Sequence, residues 1–385
     1  MSASASTLFL TDEEIRPFAG RTGVVVGLGE TMLRDTPADA QRPEQTRLVH
    51  LSLAGSECTV VTMLARLGIP STYVTRLPDN PYGWLVRDTI RGQGVNVDHL
   101  VWAAKAEPMG RYIYELGRTP RQNIGWYQRM FSAASRLDAG MVNWAGALAN
   151  CRLLHTSGIT FGLAAHSGYA TNPLLAAFEE AMRERSADML VGLDFNYRAT
   201  LWSREQCKAT VTPILEDHID VLITGIYEMA EFYGIGCGRY SAQAVLRGEA
   251  HAIEDDDLRA FGAAVHERFG TRVVAVTMRA PESMEEHRWE TAAIDDQGHF
   301  FRSPSPRTIA LLDRLGGGDT WAAGFYYGLL TDGVGQTGIE KGVIIGDAAT
   351  CIQQTLMFDL PIVTREEIQR LLAADQTTAG RQTVR

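Results

Sequence analysis

Closely spaced cysteines are missing from this 385-residue chain. It has five cysteines and no C-x-x-C motif, which disfavours a zinc site or a redox-active dithiol. A chain of this length can bury a core that needs no disulfide bonds. We therefore expect free, buried thiols in a reducing compartment at Cys58, Cys151, Cys207, Cys237 and Cys351.

Long apolar runs and basic blocks are missing as well. No window offers roughly eighteen uninterrupted apolar residues, and the first residues do not form a signal peptide, so we expect a cytoplasmic protein outside the membrane. The chain has 36 Lys and Arg against 46 Asp and Glu, a formal net charge of -10. This balance disfavours nucleic acid or an anionic membrane surface as a partner.

Several common catalytic motifs are also lacking. The chain has no G-x-x-x-x-G-K-[ST], no H-E-x-x-H and no G-x-S-x-G motif. The segment that starts at Gly27 has glycines at positions 27 and 29, like the G-x-G-x-x-G fingerprint of dinucleotide-binding proteins, but it lacks the third glycine. A standard P-loop, a zinc protease and a Rossmann dinucleotide site are therefore not expected.

What the chain does contain is an alternation of short apolar runs with helical segments. This pattern predicts an α/β fold with a doubly wound, mostly parallel sheet, in which ligands bind at the carboxyl ends of the strands. Two β-like insertions, near residues 31–55 and 96–129, predict a second, smaller sheet. We expect one domain over residues 21–375, with flexible tails at residues 1–20 and 376–385.

The most informative segment is DRLGGGDTWAAGFYYGLL, which starts at Asp313. Three glycines, Gly316, Gly317 and Gly318, precede Asp319 and a helix of small residues. Glycines allow close backbone approach, and a helix N-terminus attracts anions, so this segment suits a phosphate group. Asp319 could accept a proton from a hydroxyl that attacks the phosphoryl group, or it could only cap the helix. The segment alone leaves both roles open.

The motif GGGDTWAAGF resembles the signature of the ribokinase/PfkB carbohydrate kinase family, and LARLG (64–68) resembles another family motif. The motifs LHTSGIT (154–160) and LDFNYRATLW (193–202) are most similar to those of 2-keto-3-deoxygluconate kinases. The resemblance covers roughly residues 23–372. It implies a ribokinase-like fold whose small sheet forms a lid, and the use of ATP and Mg²⁺. It also implies Asp319 as general base, with the amides of the three glycines stabilising charge on the transferred phosphate.

The same resemblance implies a set of substrate-binding residues. Arg129 would hold the sugar-acid carboxylate, because an arginine fork can bind a carboxylate with two hydrogen bonds. Strand alternation predicts that Asp194, Asn196 and Arg198 point to one side, whereas an Asp-x-Asn sequence could instead close a turn. Thr59 stands where many relatives have asparagine. The predicted substrate-binding residues are Gly55, Tyr112, Tyr127, Arg129, Asp194, Asn196, Arg198 and Asp319.

On the nucleotide side, the chain departs from the family. The T-x-G-x-x-G motif is replaced by Thr277 and the residues that follow, without the glycines. We expect Thr277, Arg279, Gly316, Gly318 and Asp347 to contact the nucleotide. The usual Asn-x-x-Glu retains only Glu228, which is expected to bind Mg²⁺ through water.

These observations predict an ATP-dependent kinase that converts 2-keto-3-deoxygluconate to 2-keto-3-deoxy-6-phosphogluconate. One alternative is a kinase of 2-keto-3-deoxygalactonate, 5-keto-2-deoxygluconate or fructose. A second alternative is a sugar-binding protein that has the kinase fold and has lost catalysis. The resemblance also implies a homo-oligomer.

Overall fold

The structure is a computed structural model of the chain. It describes residues 10–238, 253–281, 283–304 and 307–374, and the side chains of residues 279–281 lie outside this description. Within the described residues, helices are numbered in chain order. They are α1 (Asp12–Ile15), α2 (Ser56–Arg66), α3 (Pro81–Gly92), α4 (Trp144–Ala147), α5 (Gly158–His166), α6 (Pro173–Arg183), α7 (Arg204–Asp217), α8 (Ile226–Tyr233), α9 (Asp255–Phe269), α10 (Gly317–Asp332), α11 (Gln336–Gln353) and α12 (Arg365–Ala374).

The strands of the described residues form three sheets. They are β1 (Val25–Leu28), β2 (Met32–Pro37), β3 (Val49–Ala54), β4 (Ser71–Val74), β5 (Arg76–Pro78), β6 (Val101–Ala103), β7 (Arg111–Glu115), β8 (Ile124–Gln128), β9 (Leu153–Ser157), β10 (Leu190–Asp194), β11 (Val221–Thr224), β12 (Val273–Pro281), β13 (Glu286–Asp295), β14 (Phe300–Arg302) and β15 (Arg307–Ala310).

The large sheet has the strand order β14-β13-β12-β11-β10-β9-β1-β4, with β15 also paired to β13. The run from β12 to β4 is parallel, and β13, β14 and β15 add antiparallel pairs at one edge. Successive residues of the parallel strands face opposite sides, so Val25 and Val26 enter two different hydrophobic clusters. Helices α2, α10 and α11 cover one side, and α5, α6, α7 and α9 cover the other. The predicted doubly wound sheet is confirmed.

The small sheet has the order β3-β2-β7-β8. All four strands lie within the two insertions predicted to form it, near residues 31–55 and 96–129. Strand β6, which also lies in the second insertion, instead pairs with β5 in a separate two-stranded sheet. We refer to the four-stranded sheet as the lid.

The structure differs from the prediction at the amino-terminal tail. From Leu10 onward the chain is docked: Leu10 is buried, and Thr11 and Glu14 form a capping box around α1. Glu14 then accepts a hydrogen bond from the hydroxyl of Tyr327 and pairs with Lys341. Polar composition alone suggested a loose tail, whereas these polar groups are bonded to α10 and α11. Residues 1–9 and 376–385 lie outside the described part.

The fold bears on two expectations from the sequence, which concern the cysteines and the lack of long apolar runs. All five cysteines lie in the described residues; they are buried, and none of them forms a disulfide bond. No helix among the described residues is both long and apolar enough to cross a bilayer.

Candidate active site

The candidate site lies at the carboxyl edge of the large sheet, where the glycine loop begins helix α10. Gly316 precedes the helix with φ at 73°, and a Cβ atom there would collide with the carbonyl oxygen of Asp359. Both observations require glycine at this position. Gly317 packs against the side chain of Gln354, whereas a Cβ on Gly318 would meet nothing within 4 Å. The loop is therefore closed on one side and open at Gly318, where a ligand can approach the helix N-terminus.

Asp319 lies in the first turn of α10 and is partly buried. Its Oδ1 accepts a 2.5 Å hydrogen bond from the hydroxyl of Ser56, the first residue of α2. The glycine loop and α2 therefore hold the carboxylate between them. Asp319 was predicted from the sequence as a site residue, whereas Ser56 was not. A hydroxyl residue directly after Gly55 was the available signal.

Glu57, also missed, is a buried carboxyl group next to this aspartate. Its Oε1 accepts hydrogen bonds from the hydroxyls of Ser157 (2.5 Å) and Thr160 (2.7 Å). Burial, with a smaller contribution from the negative charge of Asp319, raises the pKa of Glu57 to about 7, although the hydrogen bonds from Ser157 and Thr160 oppose the shift. A Cβ on Gly29 would overlap the Glu57 carboxylate, which explains the glycine there. Glu57 thus borders the candidate site as a group that changes charge near neutral pH.

Asp194 is the last residue of β10, so the strand ends before the two other residues of the predicted Asp-x-Asn-x-Arg set. Asn196 has a left-handed conformation, with φ at 42°, and its Nδ2 donates to Asp194 Oδ2 at 3.2 Å. Strand alternation therefore does not orient Asn196 or Arg198, and the turn alternative describes the local backbone better. Burial raises the pKa of Asp194 well above its ordinary value, and the charges of Asp319 and Glu228 raise it further.

Arg198 is exposed beyond this turn, and its Nη1 donates to the carbonyl oxygen of Tyr197. Its positive charge lowers the pKa of Asp194 and also that of Tyr127, although burial keeps both pKa values above their ordinary ones. Arg198 therefore acts electrostatically on both the strand end and the lid, and its contact with a substrate stays a prediction.

Glu228 lies in the first turn of α8 and serves as its cap. It accepts hydrogen bonds from the amide of Gly225 (3.0 Å), the hydroxyl of Thr224 (3.3 Å) and the amide of Tyr197 (3.0 Å). Glu228 thereby fixes the turn that carries Arg198. Within the described residues, no cluster of three or more His, Cys, Asp or Glu side chains could hold a metal ion directly. Binding of Mg²⁺ by Glu228 through water stays a prediction.

The lid contributes two stacked tyrosines. The rings of Tyr112 and Tyr127 lie 4.9 Å apart and are nearly parallel, at 14°. Tyr112 is buried and donates to the Asp359 carboxylate, whereas Tyr127 is 44% exposed. Tyr127 is thus the member of the pair that can meet a substrate directly. Tyr112 supports it from behind.

Arg129 is buried and paired with Glu30. Glu30 lies two residues after the end of β1. Nε and Nη2 of Arg129 both donate to Oε2 of Glu30, at 2.8 and 2.5 Å. Ser132 donates to the other oxygen of Glu30. In the described residues Nη1 makes no hydrogen bond, so the predicted carboxylate clamp would have to use that nitrogen. Gly55 lies beside the same group, because a Cβ there would press on the carbonyl oxygen of Glu30.

Besides Gly316 and Gly318 of the glycine loop, the predicted nucleotide residues lie on β12 and α11. Thr277 is partly buried on β12, opposite Thr291 of β13. The side chain of Arg279 lies outside the described residues. Asp347 accepts four hydrogen bonds from Ser303, Thr291, Trp321 and Trp289, at 2.5 to 3.2 Å. Burial raises its pKa to about 6. Asp347 therefore joins α10 and α11 to the sheet, and its contact with a nucleotide stays a prediction.

The sequence of this chain is similar to those of known proteins over most of its length. A sequence model described as "pfkB family carbohydrate kinase" matches residues 23–355. A 2-dehydro-3-deoxygalactonokinase from Haloferax volcanii is 27% identical over 360 residues, 91% of this chain and 97% of that protein. A 5-dehydro-2-deoxygluconokinase from Clostridium botulinum is 22% identical over 310 residues, 80% of this chain and 81% of that protein.

A solved structure agrees with these sequence matches. The crystal structure of 2-dehydro-3-deoxygluconokinase from Thermotoga maritima superposes with a TM-score of 0.79 at 28% identity. The match covers 91% of this chain and 99% of that chain. The superposition confirms the predicted fold over nearly the whole molecule.

Proposed function

Because this chain belongs to the pfkB family of carbohydrate kinases, we propose that it transfers the γ-phosphoryl group of ATP to the terminal hydroxyl of 2-keto-3-deoxygluconate. The products would be ADP and 2-keto-3-deoxy-6-phosphogluconate. The observation that carries the proposal is the position of the Asp319 carboxylate in the first turn of α10, directly after the open glycine loop.

The proposed step uses two features of this loop. The sugar hydroxyl attacks the γ-phosphorus, its proton passes to Asp319, and the bond to the β-phosphate oxygen breaks to release ADP. The amides at the start of α10 and the helix dipole stabilise the negative charge on the transferred group. Ser56 orients Asp319 through its 2.5 Å hydrogen bond, so that the carboxylate is held before the substrate arrives.

Mg²⁺ fits this site indirectly. A carboxylate has about four lone-pair positions, and three protein donors already bind Glu228, which leaves capacity for one bound water. When bound with ATP, Mg²⁺ would neutralise the charge of the phosphates. The residue assigned to it is Glu228, acting through that water.

Two arginines and the names of similar kinases support a sugar acid, rather than a neutral sugar, as the substrate. Arg198 is an exposed cation close to Tyr127, and Arg129 keeps Nη1 for a carboxylate after it pairs with Glu30. Kinases named for three different deoxy-keto sugar acids are among the similar proteins. A neutral sugar would gain nothing from this positive charge.

The test is an ADP-release assay with Mg-ATP and a panel of sugars. The panel contains 2-keto-3-deoxygluconate, 2-keto-3-deoxygalactonate, 5-keto-2-deoxygluconate and fructose. We expect the highest kcat/KM for the first, and we expect Arg129→Ala to lower kcat/KM for the acids but not for fructose. A preference for fructose would discard the carboxylate clamp. ATP that raises the melting temperature without turnover of any sugar would support the non-catalytic alternative.

We also propose that the chain forms a homo-oligomer through the outer face of the lid. Val49, Leu51, Ile124 and Trp126 share this face and are each between 41% and 45% exposed. A sheet face with several exposed apolar side chains is typical of an interface. The opposite face carries the tyrosines of the candidate site.

A further inference from the structure

Arg34 of lid strand β2 has a side chain with no solvent exposure and lies between two carboxylates. Its Nη2 contacts Asp313 at 2.5 Å, and its Nη1 contacts Asp359 at 2.7 Å. The third nitrogen, Nε, donates to the hydroxyl of Thr36 at 2.9 Å. Removing a charged guanidinium from water is costly unless its donors are satisfied, and here each nitrogen has a partner. No motif in the sequence indicates this arrangement.

Both carboxylates belong to segments that shape the glycine loop. Asp313 accepts from the amide of Leu315, the residue before Gly316, at 3.1 Å. Its other oxygen accepts from the amide of Phe358 at 3.1 Å. The carbonyl oxygen of Asp359 lies where a Cβ of Gly316 would be. The segment before the loop and the segment beside it therefore meet at Arg34.

On the lid side, Arg34 is connected to three tyrosines, either directly or through Asp359. The guanidinium lies over the ring of Tyr114, 4.6 Å from its centre. Asp359, which pairs with Arg34, also accepts a hydrogen bond from Tyr112, and Tyr112 stacks on the exposed Tyr127. One cation thus connects the lid with the loop expected to receive phosphate.

The positive charge of Arg34 also balances negative charge beside the glycine loop. Asp313 and Asp359 would place two negative charges beside the loop that is to bind a polyanion. Arg34 offsets one of them and attracts both carboxylates to fixed positions. Burial raises the pKa of Asp359 to about 6, while Arg34 opposes that shift and favours the ionised form. Without Arg34, the two carboxylates would repel each other and the phosphate.

We propose that Arg34 is a positioning residue for phosphoryl transfer, which sets the geometry of the glycine loop only when the lid strand is docked against it. This inference rests on the proposed kinase function. It assigns to a lid residue a role at the phosphate end of the site. An ordinary structural ion pair would instead affect stability alone.

The test compares Arg34 with Arg185, which pairs with Asp220 at the opposite edge of the sheet. Arg34→Met and Arg185→Met each remove an ion pair, so both should lower the melting temperature. For the folded protein, we expect Arg34→Met to lower kcat by at least about 100-fold, while Arg185→Met stays within about threefold of wild type. The KM for ATP should change less than kcat, because the loop acts mainly in the transition state.

Two further variants keep the test decisive if Arg34→Met does not fold. Arg34→Lys keeps the charge, but its single nitrogen cannot reproduce the three separate contacts that Nη1, Nη2 and Nε make with Asp359, Asp313 and Thr36, and we expect kcat to fall by about tenfold. For Arg34→Ala, low-millimolar guanidinium chloride should restore part of kcat, with no gain for the wild type or for Arg185→Ala.

Two outcomes would overturn the inference, and they are distinguishable. If the wild type phosphorylates a sugar and folded Arg34→Lys is equally active, the positioning role fails while the kinase function stands. If the wild type phosphorylates no sugar, the proposed function fails and this inference fails with it.

Discussion

The hydroxyl of Ser56 donates a 2.5 Å hydrogen bond to Oδ1 of Asp319. The two residues are far apart in sequence: Ser56 begins α2, and Asp319 lies in the first turn of α10. A short hydrogen bond to a carboxylate is among the stronger ones in proteins. It fixes the orientation of Asp319 while leaving it acceptor capacity for the proton of a substrate. The proposed general base is thus held by a residue that also adjoins Gly55, which is predicted to face the substrate.

Asp319→Asn is expected to abolish turnover while substrates still bind. The amide cannot accept the proton of the attacking hydroxyl, so we expect kcat to fall by about 1,000-fold, within the range that general bases contribute. Calorimetric titration should give ATP and sugar affinities close to those of the wild type. Asp98→Asn, at an exposed position, is the matched control. Turnover of Asp319→Asn within about tenfold of wild type would remove Asp319 as the base.

Arg198→Ala is expected to lower kcat/KM for 2-keto-3-deoxygluconate by at least about tenfold, or about 1.4 kcal/mol. The exposed guanidinium acts electrostatically on both Asp194 and Tyr127, so its loss removes positive charge from the region where the substrate is expected. Steady-state kinetics with a fixed, saturating ATP concentration measure the effect. Arg91→Ala, on the surface of α3, serves as control. An unchanged value would place Arg198 outside the site.

The sequence allowed the local features of this site to be predicted. The glycine loop, the two lid insertions and the doubly wound, mostly parallel sheet all follow from residues close in sequence. The Ser56–Asp319, Arg129–Glu30 and Arg34–Asp359 pairs could not be predicted, because their members lie 263, 99 and 325 positions apart. Such pairs leave no periodicity and depend on how the lid packs on the sheet.

Trp126→Glu is expected to weaken self-association without changing the fold of the lid. A carboxylate on the outer face would lose the apolar contacts of Trp126 and would bring like charges together at a symmetric interface. Analytical ultracentrifugation of wild type and variant measures the change in assembly. Trp84→Glu, on exposed α3 outside the lid, is the comparison variant. A wild-type protein that sediments as a monomer would contradict the oligomer proposal itself.

The raised pKa of Glu57 leads to a separate prediction of how the free energy of unfolding depends on pH. Its folded-state pKa is about 7, above the ordinary value of 4.5, because burial disfavours the ionised carboxylate. The native state therefore holds the proton more tightly than the unfolded chain does. Between these two pKa values, the unfolded chain has released its proton while the folded protein still holds it. As pH rises from the lower pKa to the higher one, Glu57 therefore lowers the free energy of unfolding progressively.

Glu57→Gln removes this titration but keeps a side-chain oxygen that can accept hydrogen bonds from Ser157 and Thr160. Relative to wild type, the variant should gain about 2 kcal/mol in the free energy of unfolding between pH 5.5 and pH 8. Urea unfolding at the two pH values measures the difference, with the exposed Glu267→Gln as control. A constant offset between variant and wild type at both pH values would mean that Glu57 titrates alike in the folded and unfolded states. The buried carboxyl would then be ionised throughout, and its two hydroxyl donors, rather than a proton, would offset the cost of burial.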